Sequence, residues 1–139
     1  MVRTFALIFG IIYVLVGLLG FIPSLSTHPA DAPHLSVESG HGYLFGMFPI
    51  NILHNIVHLI IGIAGILASR SLGGARLYAK ALAIVYGLLA VLGLIPATQT
   101  TFGLIPIHGA DVILHALSAL IAAYFGFIAR DSGEPAAGD

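Results

Sequence analysis

The sequence predicts an all-α membrane protein: four transmembrane helices forming two helical hairpins in parallel repeat, with both termini on the cytoplasmic side. Three observations carry this. The 139 residues are 58% apolar and only 8% charged, with mean hydropathy +1.04. A soluble domain carries about 25% charged residues, so eleven charges cannot clothe a water-facing surface of this size. Four apolar stretches, roughly Thr4–Ile22, Leu44–Ala68, Leu77–Ile95 and Leu104–Ala129, reach the length of about 20 residues that crosses about 30 Å of hydrocarbon. Finally, the first and third stretches share a pattern. Gly10–Pro23 aligns without gaps to Ala83–Pro96, with Ile11/Ile84, Tyr13/Tyr86, Leu15/Leu88, Leu19/Leu92, Gly20/Gly93, Ile22/Ile95 and Pro23/Pro96 identical.

Composition also excludes several classes. The hydrophobicity excludes a soluble cytosolic enzyme and a disordered chain, and a net charge of −1 excludes a nucleic-acid binder with a basic face. Cysteine is absent, which removes disulfides, zinc–thiolate sites, iron–sulfur clusters and covalently attached haem. The chain reads as a single domain, residues 1–139, with halves of about 1–70 and 76–130.

Helix 1 follows Arg3 and has the outline of a secretory signal. Its run is longer than a signal core, no small-x-small site follows closely, and it is the counterpart of an internal helix, so it is expected to be retained. The outer connection, about residues 24–43, holds His28, Asp31, His34, Glu38 and His41 and is expected to be ordered only where something holds it. In helix 2, Phe45-Gly46-Met47-Phe48-Pro49-Ile50 corresponds to Phe102-Gly103-Leu104-Ile105-Pro106-Ile107 in helix 4. Continuing without gaps pairs His54 with Asp111 and His58 with His115. A shift of one helical turn instead pairs Leu53-His54 with Leu114-His115, so the register between helices 2 and 4 stays open. Orientation follows from the basic residues: Arg3, Arg70, Arg76, Lys80 and Arg130 fall on one side, and the opposite loops contain none. The expected location is therefore a membrane with both termini cytoplasmic, the lipid bilayer serving as solvent. The tail Ser132–Asp139 is polar and expected to be mobile.

Ionisable groups inside a bilayer are costly and mark functional sites by default. Here they are concentrated. Asn51, His54 and His58 on helix 2, and His108, Asp111 and His115 on helix 4, share the spacing i, i+3, i+7, which lines one helix face. The repeat turns both stripes toward each other. Three layers are expected: Asn51 with His108 outermost, His54 with Asp111, and His58 with His115 deepest.

A divalent metal, zinc or iron, suits His54, His58, Asp111 and His115, which offer three imidazoles and a carboxylate. Orienting a ligating imidazole through its other nitrogen falls to Asn51, Asn55 or His108. A b-type haem or a chlorin is the alternative, with His58 and His115 as axial ligands. A titrating path through the stripe, serving a proton-coupled small-solute transporter, is a third reading. Interhelical glue, in an accessory subunit of a larger membrane complex or in a homo-oligomer, is the bland one. Tyr13 and Tyr86, partners in the repeat, read as packing residues, with capping of the site from helices 1 and 3 the lesser alternative, and the loop histidines His28, His34 and His41 read as solvated. A metal with an open coordination position would permit catalysis, but no catalytic residue is identified.

The stretch Phe48-Pro49-Ile50-Asn51-Ile52-Leu53-His54-Asn55-Ile56-Val57-His58-Leu59-Ile60-Ile61-Gly62, with its Asn-x-x-His-Asn-x-x-His-Leu signature, resembles a bacterial family of small four-helix membrane proteins classed as a domain of unknown function. The resemblance runs from the Gly-Leu-Leu-Gly-Phe segment ending at Phe21 to Leu114-His115. It implies the four-helix topology and the importance of the motif, and names no activity. A looser similarity, in size and layout, is to DoxX-like four-helix proteins.

Overall fold

A computed structural model describes residues 1–30 and 32–130. The tail Ser132–Asp139 and Asp31 lie outside the described residues. The architecture is mostly helical: α1 (Val2–Leu19), α2 (Ile52–Ala68), α3 (Leu72–Gly93) and α4 (Ala110–Ala123), the last continued by a π-helical turn Tyr124–Ile128. Three of these, Val2–Leu19, Leu72–Gly93 and Ala110–Ile128, are long and apolar enough to cross a membrane; α2 is a shorter apolar helix of 17 residues.

The structure corrects the all-α expectation. A small antiparallel sheet in the order β1 (Ser26–Thr27), β2 (Gly42–Leu44), β3 (Phe48–Ile50) sits at the head of the bundle. The helix expected over Leu44–Ala68 therefore begins only at Ile52, and the one expected over Leu104–Ala129 only at Ala110. The cause is local backbone geometry. In the β2–β3 hairpin, Phe45 (φ 54°) and Gly46 (φ 72°) are both left-handed, and the Met47 amide donates to Leu44 O at 3.2 Å. Two consecutive left-handed residues suit a tight hairpin and end any helix. The repeated Phe-Gly pair does the same before α4, where Thr101 (φ 45°), Phe102 (φ 59°) and Gly103 (φ 86°) are left-handed. Pro49 and Pro106, both buried, follow within a few residues and withhold backbone donors from a helix.

Consecutive helices form the closest pairs, α1 with α2 and α3 with α4. Glycine sets the distance in the first. A Cβ on Gly10 would stand 2.7 Å from both Gly62 O and Ile66 N, and one on Gly62 would meet the Val14 amide at 2.6 Å, so the two backbones touch, as small residues allow at helix interfaces. Between the hairpins lies a core of Phe5, Tyr13, Tyr78, Leu82 and Tyr86 with small alanines. Phe5 of α1 stacks on Phe125 of the π turn, with centroids 4.6 Å apart.

The cationic residues collect at the end of the bundle away from the sheet. Arg3 Nε donates to Ser69 O (2.8 Å), Arg76 donates to Ala129 O (2.9 Å), and the Lys80 ammonium lies 5.4 Å from the Phe127 ring. At the opposite end one side chain ties the connections together. Asn51 caps α2 by accepting from His54 N (2.9 Å), while its Nδ2 donates to Val37 O (3.1 Å) and Leu104 O (2.6 Å). Ser36 N donates to Gly103 O at 2.8 Å beside it.

Candidate metal centre

His54 enters the bundle from the first turn of α2, Asp111 from the first turn of α4 and His115 from one turn further on. All are buried, at 4%, 3% and 3% exposure. The His54 Nε2 lies 3.9 Å from Asp111 Oδ2, and His115 Nε2 lies 3.6 Å from the same oxygen. Each of the three residues offers a ligand atom within 4.8 Å of the other two. These spacings are too long for hydrogen bonds, whose N–H···O distance is about 2.9 Å. They suit ligands on a common centre: donors about 2.0–2.1 Å from a tetrahedral ion lie about 3.4 Å from one another.

The protonation pattern of His54 follows from its other nitrogen. His54 Nδ1 is 3.0 Å from Pro49 O, and a carbonyl can only accept, so Nδ1 carries a proton. In the neutral ring Nε2 then presents a lone pair toward an Asp111 oxygen that has no hydrogen-bond partner of its own. Two acceptors facing each other in a buried site call for a cation between them. The start of α4 also favours negative charge at Asp111.

The remaining candidates are distributed around this group. His58 lies one turn deeper on α2, its ring 4.5 Å from that of His54 and 5.4 Å from that of Tyr13. Its Nδ1 is buried without a hydrogen-bond partner, and it stands outside the convergent group. Tyr86 packs 4.9 Å from His115, and Tyr13 and Tyr86 stack on each other at 5.5 Å and 8°. The orienting role expected of Asn51, Asn55 or His108 is held by the Pro49 carbonyl instead. Asn51 is the cap and clamp described above. Asn55 faces α1, where its amide fills the space beside Gly20. His108 lies against the Tyr43 ring at 6.0 Å and Asn51 reaches Val37 O and Leu104 O, so among the described residues each finds partners other than the one expected for the outermost pair. In the outer loop, His34 and His41 approach Glu38 at 3.7 and 3.4 Å, and the His28 ring lies over Gly42.

Sequence spacing did not single out Pro49 as the partner of His54. The signal was present as a proline five residues before the histidine, but a carbonyl's role depends on the strand that precedes α2. A cavity of about 170 Å³ adjoins the group, lined by His54, His58 and His115 below apolar residues of α2 and α3. An ion held by these three residues would leave room for a further ligand beside the cavity, and would supply polarisation of a bound oxygen or activation of water.

No curated protein and no solved structure matches the chain. The family model described as a domain of unknown function (DUF4383) matches residues 3–128, and the chain belongs to that family.

Proposed function

We propose that this protein is a four-helix integral membrane protein of the bacterial inner membrane, with both termini cytoplasmic, that holds one divalent metal ion, zinc or iron, through His54, Asp111 and His115. The observation that carries the reading is the convergence of two imidazole nitrogens and one carboxylate oxygen, with the His54 lone pair aimed at the carboxylate by the Pro49 carbonyl. Collection of the cationic residues at the end opposite the sheet supports the orientation by the positive-inside rule, which puts the metal in the outer half of the bilayer. The parallel contacts Tyr13–His58 and Tyr86–His115 support two repeated hairpins.

Two alternatives fit less well. Interhelical glue would draw a charged His–Asp pair to about 2.7–2.9 Å, shorter than the 3.6 and 3.9 Å found. A haem or chlorin held by His58 and His115 would need far more room than about 170 Å³, a volume close to the ~150 Å³ that accommodates one benzene.

Elemental analysis and an absorption spectrum of protein purified in mild detergent test the reading. One zinc or iron per chain without a Soret band is expected. A Soret band would replace the ion by a haem, and a metal-free protein that takes up neither ion on incubation would overturn the assignment.

A further inference from the structure

The cavity beside the candidate metal has a composition that selects its occupant. Its polar end is formed by His54, His58, His115 and Tyr86, whose hydroxyl is also buried without a hydrogen-bond partner, and its walls by Val57, Ile61, Val85 and Leu89 of α2 and α3. Val57 of α2 and Val85 of α3 both line the cavity and are also 37% and 47% exposed. Toward the sheet end the cavity is covered by Thr101, Ile105 and Ile107, and Ile107 is only 2% exposed. The opening thus looks sideways from a bundle whose surface is apolar, and the water-facing end is roofed.

Two buried nitrogens at the polar end lack partners, His58 Nδ1 and His115 Nδ1. This matters most at His115. A histidine that binds a metal through Nε2 keeps its proton on Nδ1, and ligating histidines almost always donate that proton to an acceptor. His54 does so, to Pro49 O; among the described residues His115 has no such acceptor. The missing piece is a hydrogen-bond acceptor, supplied from the cavity. The volume of about 170 Å³ is that of one six-membered ring, by comparison with a ~150 Å³ cavity that takes up benzene.

We propose that this cavity is a binding site for a lipid-dissolved ring molecule bearing a carbonyl oxygen, a quinone or cyclic enone head group, which enters between α2 and α3 and accepts a hydrogen bond at the polar end. The inference rests on the metal reading, which fixes the His115 proton on Nδ1. The ring fills the apolar walls, any tail stays in the lipid between Val57 and Val85, and the oxygen reaches the histidines beside the open metal position.

The test uses the full-length protein in lipid nanodiscs. The probe is a 1,4-benzoquinone carrying a single isoprenyl unit, which a chain without cysteine will not capture through a thiol. Carvone serves as the enone arm and toluene as the oxygen-free arm. Binding is read by saturation-transfer NMR, and metal content is measured on each sample. Saturable binding of a carbonyl probe is expected, at least tenfold weaker for toluene. The arm that binds more tightly assigns quinone or enone. Val85→Trp and, independently, Val57→Trp should weaken it at least tenfold with metal content unchanged, while Leu117→Trp, on the exposed flank of α4, should not. Stoichiometric metal with no saturable probe binding, or equal binding by wild type and both tryptophan variants, would overturn the cavity inference and leave the metal reading standing. Loss of both metal and probe binding from the wild type would overturn both.

Discussion

The two hairpins begin alike and end differently. Each places a tyrosine of its first helix on a histidine of its second, Tyr13 on His58 and Tyr86 on His115, and each interrupts the approach to its second helix with a left-handed Phe-Gly pair. At the helix starts they part. α2 is capped by Asn51, whose amide also binds both outer connections, and His54 is oriented by Pro49 O. α4 follows Gly109, which offers no side-chain cap, and among the described residues Asp111 Oδ2 and His115 Nδ1 have no hydrogen-bond partner. The first half places an oriented imidazole on a braced helix, and the second places the carboxylate and an imidazole that lines the cavity. Asp111, from the second half, is the one carboxylate of the group, and its negative charge would favour a divalent cation.

The sharpest way to break this contrast is at the caps. Asn51→Ala removes a helix cap and leaves Val37 and Leu104 carbonyls short of a donor, a loss of about 3 kcal/mol from a cap and buried hydrogen bonds together. His108→Ala, at the corresponding position of the other half, removes no hydrogen bond found here and should cost less than about 1 kcal/mol. Thermal unfolding in detergent compares them; equal losses would remove the asymmetry.

The helix pairs differ in the same direction. Gly10→Ala drives a methyl into Gly62 O and Ile66 N, backbone atoms that cannot step aside, and should destabilise by about 1–3 kcal/mol. Gly87→Ala meets only the Ala119 methyl at 3.9 Å and gains helix propensity, so it should be neutral or more stable by up to about 1 kcal/mol. A neutral Gly10→Ala in the same unfolding assay would show that α1 and α2 are not in backbone contact.

These sites also show what the sequence could disclose. Helical period decides which side chains share a face within α2 and α4, as for His54 with His58 and Asp111 with His115, whereas Asn51 and His108 precede the helix starts and fall outside that rule. Which of four candidates converge depends on the axial offset between α2 and α4, which no spacing within either helix encodes, and this leaves His58 a turn away from the group. The late helix starts were hidden for another reason. Leu44–Ile50 and Leu104–Ile107 are as apolar as the helices they precede, so hydropathy extends the helix through them. Pro49 and Pro106 mark where a helix end costs least, but the left-handed Phe-Gly pair before each proline, which sets the late starts, carries no hydropathy signal. Asn51 before an apolar run is a cap signal, but its two further hydrogen bonds require both outer connections to be in place.

The smallest effect lies in the outer loop. The Leu35 N–H, donated to Glu38 Oε1 at 2.9 Å, holds the Glu38 carboxyl below the usual carboxylate range, with a smaller contribution from His41. A lowered acid stabilises above its unfolded value, and that contribution is lost as pH falls through the folded one. The Leu35 amide resonance should therefore shift on acidification below the ordinary carboxylate value, whereas the Ser36 amide, bonded to Gly103 O, should not follow it. Glu38→Gln should abolish the Leu35 titration, and its persistence would assign the shift to another group.

Metal stoichiometry across single variants tests the central claim most directly. With wild type at one ion per chain, His54→Ala, Asp111→Asn and His115→Ala should each lower retention at least tenfold on dialysis, while His58→Ala, whose imidazole stands outside the group, keeps the ion. Retention by Asp111→Asn together with loss from His58→Ala would contradict the account, because it would move the ion off the carboxylate on which both halves converge.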